Sequence, residues 1–356
     1  RSEQMFEIDF LINEPFELES GEVLTELKLR TTIYGKLNAE KSNAVLVFHA
    51  LTGSSRIHDW WNGVLAEGGA LDTSADAFIC VNYLGSCYGS TSAKDLKRRN
   101  SRREVPIVTT RDIVRSTSLL FEYLGVSRFK AVIGGSVGGM LALQFAVDFP
   151  TLTDEIVAIA AAPLSAMGLA LNHIQRQAVA RGDLDIARKI ALLSYRSPRQ
   201  FEDRFGRKPN RNGEDPKGIF QDRFDIGGYL DHQGAAFRKR FELESYELLT
   251  KTMDLFDLSD DDIGKIVSRV SLVGISSDWL FPPADVRALA ARLSGLGVDA
   301  RYHELLSDVG HDAFLTDTEE INGILNDLLS PPEITYEETE IGRSAVEPER
   351  LAVGCS

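Results

Sequence analysis

The run Gly134-Gly135-Ser136-Val137-Gly138-Gly139 constrains this chain more than any other segment of its 356 residues. It follows a short apolar stretch, residues 129–134 (FKAVIG), and leads into a helix-like apolar stretch, residues 139–149. A serine between glycines at a strand-to-helix junction sits at backbone angles that bulkier neighbours would block. The pattern therefore asks for a buried strand before the turn and a helix after it. A glycine-rich phosphate loop is the competing reading. It fits poorly, because no G-x-G-x-x-G register and no Walker lysine are present.

The surrounding pattern supplies that setting. Residues 44–49 (AVLVFH), 77–83 (AFICVNY) and 155–161 are further short apolar runs bounded by turn residues, as buried parallel strands are. Residues 26–33 alternate polar and apolar, which predicts an edge or antiparallel strand. Residues 110–124 carry apolar side chains at helical spacing, with Thr109 or Thr110 to cap the helix and Gly125 to stop it. From residue 163 to about 266 the periodicity is helical, as in 174–180, 184–193 and 242–255. Strand and helix then alternate again at 270–275, 284–296, 300–305 and 318–329. The expected organisation is an α/β core, 1–163 and 267–330, interrupted by a helical lid, 164–266. An acidic tail, 331–356, has six Glu against two Arg.

A serine nucleophile needs a base, and the base needs an orienting carboxylate. Asp278 directly follows the expected strand 270–275, and His311 follows 300–305 within Val309-Gly310-His311-Asp312. The order Ser136, Asp278, His311, each past a strand end, is that of the α/β-hydrolase fold. That fold is a mostly parallel central sheet with helices on both faces, here with the lid inserted. The amide of Val137 and that of Leu51, in the loop His49-Ala50-Leu51-Thr52-Gly53, are the candidate oxyanion donors. No histidines pair at H-E-x-x-H or H-x-x-E-H spacing, so no catalytic metal is expected.

Composition narrows the function classes. The 39 Lys+Arg against 53 Asp+Glu give a net charge of −14, which argues against a nucleic-acid binder relying on a basic surface. Only three cysteines are present, so neither a disulfide framework nor a structural zinc site is expected. Residues 1–10 carry charges without an apolar signal-peptide core. The longest charge-free apolar stretch, 156–171, is broken by Pro163 and shorter than the ~20 residues of a membrane span. A cytoplasmic protein with no membrane contact is expected. Six basic residues in 94–103 form either a patch for a phosphorylated cofactor or a solvated loop.

Several segments together resemble the homoserine O-acetyltransferase family of α/β-hydrolases. They are 18–20, 34–38, 49–53 (HALTG), 82–91 (NYLGSCYGST), the Ser136 turn, 175–178, 186–188, 241–249 (FELESYELL), 277–279 and 310–314 (GHDAF). The resemblance covers about residues 15–330. It implies Ser136, Asp278 and His311 as nucleophile, acid and base, with Arg188, Tyr195 and Asp312 as substrate-binding residues. It also implies a reaction centre at the end of a tunnel and a homodimer built through the lid helices. The chain departs from the family pattern at Val137 and Leu141, where the family has Met and Gln, at residues 92–94, and in a short 178–186 connection.

Those departures bear on the acyl acceptor. Water outnumbers a millimolar acceptor by roughly four to five orders of magnitude, so transfer needs about 6 kcal/mol of positioning and water exclusion. Hydrolysis needs only the triad and the oxyanion donors. On sequence the main expectation is hydrolysis of short-chain, acetyl-type esters, a small-molecule reaction without a cofactor. The alternative is homoserine O-acetyl transfer with acetyl-coenzyme A as co-substrate. A third reading, a non-catalytic binding protein of the same fold, has no need of all three triad residues.

Overall fold

Alternating side chains build the first sheet edge. β1 (Met5–Ile12) runs antiparallel to β4 (Leu27–Tyr34), joined by the small hairpin β2 (Phe16–Glu17) and β3 (Val23–Leu24). The chain continues with β5 (Ala44–Phe48), α1 (His58–Trp61), β6 (Ala77–Val81), α2 (Ala93–Arg99) and α3 (Thr110–Leu124). Then come β7 (Ala131–Gly135), α4 (Val137–Asp148) and β8 (Glu155–Ile159). Helices α5 (Ala166–Ala180), α6 (Leu184–Tyr195), α7 (Pro198–Phe205), α8 (Asp225–Arg240), α9 (Leu243–Leu255) and α10 (Asp260–Gly264) separate β8 from β9 (Arg269–Ile275). The last elements are α11 (Pro283–Gly295), β10 (Ala300–Leu305), α12 (Ala313–Thr316) and α13 (Thr318–Leu329). These come from a computed structural model that describes residues 5–330; the acidic tail, 331–356, lies outside the described residues.

The eight-stranded sheet has the order β1-β4-β6-β5-β7-β8-β9-β10. β4 pairs antiparallel with β1 and β6, and from β6 onward every neighbouring pair is parallel. β5, β6 and β7 are buried along their whole length, which is why they read as unbroken apolar runs. The sheet divides the core in two: Leu46 and Phe48 pack on one face with Phe121, Phe129 and Phe145, while Val45 and Val47 face Trp61, Phe78 and Phe314. The chain is thus an α/β-hydrolase fold, with helices on both faces of a mostly parallel sheet.

Local sequence signals explain the helix ends. Thr109 Oγ1 accepts from the Asp112 amide at 3.1 Å, and the Asp112 carboxylate accepts from the Thr109 amide at 3.0 Å. This reciprocal cap starts α3, and Gly125 at φ 66° ends it. The alternating segment 26–33 forms β4, one of the two strand types it allowed: it is antiparallel, with β1 covering its outer side. One expectation needs correction. The basic segment 94–103 is not a plain loop: Ser92 caps helix α2, and Arg98 and Arg99 pair with Asp95 at 2.9 Å and Glu26 at 2.8 Å. Among the described residues no helix is long and apolar enough to cross a membrane.

Candidate active site

Ser136 occupies the turn between β7 and α4 with φ 57° and ψ −126°, a left-handed conformation that a residue other than glycine rarely adopts. Its amide donates to the Ile159 carbonyl at 2.8 Å, and its carbonyl accepts from Gly139 and Met140, so the strained turn is held from both sides. Close approach enforces the glycines. A Cβ on Gly134 would sit 2.0 Å from the Gly138 carbonyl oxygen, and one on Gly138 would sit 2.3 Å from that of Phe48. The second contact brings the start of α4 against the end of β5, and with it the loop 49–53.

The three residues expected from their order along the chain come together. His311 Nε2 is 2.9 Å from Ser136 Oγ, and His311 Nδ1 is 2.7 Å from Asp278 Oδ2. All three are buried, at 5%, 2% and 3% exposure for Ser136, His311 and Asp278. Asp278 Oδ1 accepts two further hydrogen bonds, from the Leu280 and Phe281 amides at 2.9 Å each. The carboxylate is thereby fixed in one rotamer and aimed at the imidazole. Burial works against the charged imidazolium of His311, but the charge and hydrogen bond of Asp278 outweigh it and raise the histidine's pKa. Rings of Phe281, Phe314 and Tyr195 lie 5.4–5.9 Å from the imidazole and confine it.

The loop 49–53 is pinned by its carbonyls. Tyr83 donates its hydroxyl to the His49 carbonyl, and the two rings stack with centroids 3.7 Å apart. His49 is fully buried, which lowers its pKa to about 4, so the ring is neutral at pH 7. Its Nδ1 lies 2.7 Å from the Ala50 carbonyl oxygen and donates to it, and the Gly53 amide donates to the same oxygen at 3.1 Å. Among the described residues, neither the Leu51 nor the Val137 amide is engaged in a hydrogen bond. Both are therefore available to a developing oxyanion beside Ser136.

A cavity of about 100 Å³ opens on the serine, lined by Ala50, Leu51, Thr52, Ser136, Arg188, Tyr195, His311, Asp312, Phe314 and Leu315. Against a water's share of about 30 Å³ this is room for a small acyl group. All three residues expected at a substrate site line it. Arg188 stacks over the rings of Phe237 and Tyr195, at 4.6 and 5.7 Å. Asp312 is paired with Arg196 at 3.2 Å; burial raises its pKa, opposed by Arg196, His311 and Arg188. The main chain of 195–197 is stitched to the histidine loop: the Asp312 amide donates to Tyr195 O at 3.0 Å and the Ser197 amide to Val309 O at 2.8 Å. A larger cavity of about 580 Å³ lies elsewhere, lined in part by Lys94, Arg98 and Glu242. It contains none of the reacting groups.

Sequence reasoning missed several supports of this site. Phe281 sits in a turn with no periodicity, and Tyr83 and Phe314, though within the family-like segments 82–91 and 310–314, carry no signal of what they pack against. Arg240, which reaches Thr52 from α8, stands among exposed basic residues that carry no motif. Val137 and Leu141, where the family pattern is broken, are both fully buried core residues, and neither lines the cavity. These two departures are thus in the packing of α4, and their side chains do not form the wall an acceptor would meet. Among the described residues no group of three His, Cys, Asp or Glu is arranged to hold a metal ion.

Comparisons agree with this architecture. A family model described as alpha/beta hydrolase fold matches residues 43–318. The homoserine O-acetyltransferase of Acidiphilium cryptum (strain JF-5) is 37% identical over 339 residues, covering 84% of this chain and 89% of that protein. Among solved structures, a homoserine O-acetyltransferase from Bacillus anthracis superposes with a TM-score of 0.82 at 20% identity, covering 93% of this chain and 99% of that one. The esterase E22 superposes with a TM-score of 0.81 at 19% identity, covering 92% and 100%. At such identities the two structures speak for the shared fold.

Proposed function

The chain belongs to the homoserine O-acetyltransferase family of α/β-hydrolases, and from that premise we propose that it transfers an acetyl group from acetyl-coenzyme A to the hydroxyl of L-homoserine. Acyl transfer is the common chemistry of the family. The relatives support transfer to homoserine better than the ester hydrolysis favoured on sequence, and the core location of Val137 and Leu141 removes part of the case for water. The observation that carries the proposal is Arg188. Its guanidinium lines the same small cavity as Ser136 and is not among the arginines that form ion pairs in the described residues. A hydrophobic ester would gain nothing from that cation, whereas an amino-acid carboxylate would.

The mechanism follows from the geometry. Neutral His311 takes the Ser136 proton at Nε2 as Oγ attacks the thioester carbonyl, and Asp278 holds the resulting imidazolium at Nδ1. The amides of Leu51 and Val137 stabilise the tetrahedral oxyanion. Collapse expels coenzyme A as a thiol, with the proton returned by His311, and leaves an acetyl ester on Ser136. The homoserine hydroxyl then gives its proton to His311 and attacks that ester, releasing O-acetylhomoserine and restoring the serine. Arg188 would hold the acceptor's carboxylate and Asp312 its ammonium, with Tyr195 closing the wall between them. No cofactor beyond acetyl-coenzyme A is part of this proposal.

Helices α5–α10 would serve as the lid over the cavity and as the face of a cytoplasmic homodimer. Met167, Ile174 and Leu193 expose apolar surface on α5 and α6. Sedimentation should give twice the chain mass for the native protein and a lighter particle for M167E; a native monomer overturns the dimer.

Thiol release from acetyl-coenzyme A, with and without homoserine, beside cleavage of a simple acetate ester, tests the acceptor. Homoserine-dependent thiol release is expected. Thiol release at one rate regardless of homoserine would make water the acceptor, and ester cleavage with no thiol release would leave an esterase.

A further inference from the structure

Arg240 Nη1, at the end of α8, donates to the Thr52 carbonyl oxygen at 3.0 Å and to the Tyr88 hydroxyl at 2.6 Å. Its guanidinium carbon lies 4.9 Å from the centre of the Phe237 ring, against which Arg188 also packs. Arg196 and Arg238 nearby pair with Asp312 and Asp185, but Arg240 is not among the ion-paired arginines of the described residues. An exposed arginine that spends a donor on a neutral main-chain oxygen is fixing backbone, not neutralising charge.

The backbone it fixes leads to the oxyanion donor in two steps. In a trans peptide the C=O and the following N–H point in opposite directions. Holding Thr52 O therefore aims the Gly53 N–H the other way, and that N–H donates to Ala50 O at 3.1 Å. Holding Ala50 O in turn aims the Leu51 N–H the other way, and Leu51 lines the cavity with Ser136. His49 Nδ1 holds Ala50 O from the sheet side, at 2.7 Å. Arg240 is the one donor to these carbonyls that comes from the helices between β8 and β9.

We propose that Arg240 is a positioning residue for the oxyanion site: through the Thr52–Gly53 and Ala50–Leu51 peptides it orients the Leu51 amide toward Ser136. The packing of α8 against the loop 49–53 and the aim of the Leu51 amide are then coupled. The proposal rests on Ser136 being acylated, but not on the identity of the acceptor.

The test uses p-nitrophenyl acetate, a neutral ester with no phosphate or carboxylate for Arg240 to bind, on the full chain and on R240Q, R240K and R238Q. R240Q should lower kcat about tenfold with KM within about twofold, because a misaimed amide weakens only the transition state. R240K, which keeps one donor, should recover most of that loss, and R238Q, which breaks a surface pair on the same helix, should match the wild type. An unchanged kcat in R240Q overturns the proposal. So does a KM rise at constant kcat, or a loss no larger than the unfolded fraction seen by circular dichroism. If S136A releases p-nitrophenolate as fast as the wild type, the Ser136 reading fails instead.

Discussion

His311 Nδ1 lies 2.7 Å from Asp278 Oδ2, and the two side chains retain only 3% and 0% of their exposure. Withdrawn from water, the pair cannot exchange partners with solvent, and the carboxylate's charge acts on the imidazole through little screening. The base must be neutral to accept the Ser136 proton, and Asp278 raises its pKa above the ordinary 6.5. Activity should therefore fall as pH drops through an apparent pKa higher than 6.5. In D278N that acid limb should move down while kcat drops by on the order of 10⁴. A D278N profile superimposable on the wild type would remove Asp278 from the mechanism.

Ser136 should carry the acyl group. A fluorophosphonate probe is expected to label the wild type at one site and S136A not at all. Acetyl transfer by S136A should fall by at least about 10³. Undiminished labelling of S136A would move the nucleophile elsewhere.

Arg188 separates acceptor binding from acylation. R188Q should raise KM for homoserine by about 100-fold, since it removes a charge-assisted contact to a carboxylate. Its cleavage of p-nitrophenyl acetate should stay within a few fold of the wild type. Equal homoserine KM values in the two proteins would sink the carboxylate role.

The glycines of the serine turn are needed for space. A Cβ on Gly134 would meet the main-chain oxygen of Gly138 at 2.0 Å, and backbone cannot swing aside as a side chain can. G134A should lose about 3 kcal/mol or more of stability in urea unfolding. A loss under about 1 kcal/mol would mean that the turn relaxes and its strain is not enforced there.

His49 makes the fold acid-sensitive. Its pKa is ordinarily 6.5 and falls to about 4 in the buried site, so the unfolded chain binds the proton more readily than the native one. This contribution is complete above pH 6.5 and is lost as pH falls toward 4, by up to about 3 kcal/mol. The stability gap between wild type and H49N should shrink by that amount from pH 7.5 to 4. A gap independent of pH would show that His49 titrates as it does in the unfolded chain.

Much of the architecture could be read along the chain because its signals are local. Thr109 and Gly125 bound α3 through hydrogen bonds and a dihedral angle set within a few residues. Fully buried β5 and β7 read as unbroken apolar runs. β1 leaves no such signal: six of its eight residues are exposed and only Ile12 is buried, so the strand has no buried face to show in its pattern. Helix α8 was blurred by Gly227, Gly228 and Gly234, which dilute its periodicity.

By itself the sequence determined the turn that strains Ser136 and the order in which acid and base follow it, because glycine spacing and strand ends are local properties. Only the tertiary structure decided how the site is tuned. Asp278 and His311 meet because β9 and β10 lie side by side in the sheet, the rings of Phe281 and Phe314 confine the imidazole, and Arg240 holds Thr52 from 188 residues away. Those contacts depend on where α8 and the turns come to rest. No periodicity encodes a meeting between segments so far apart, so they became visible only when the helices had packed against the loop.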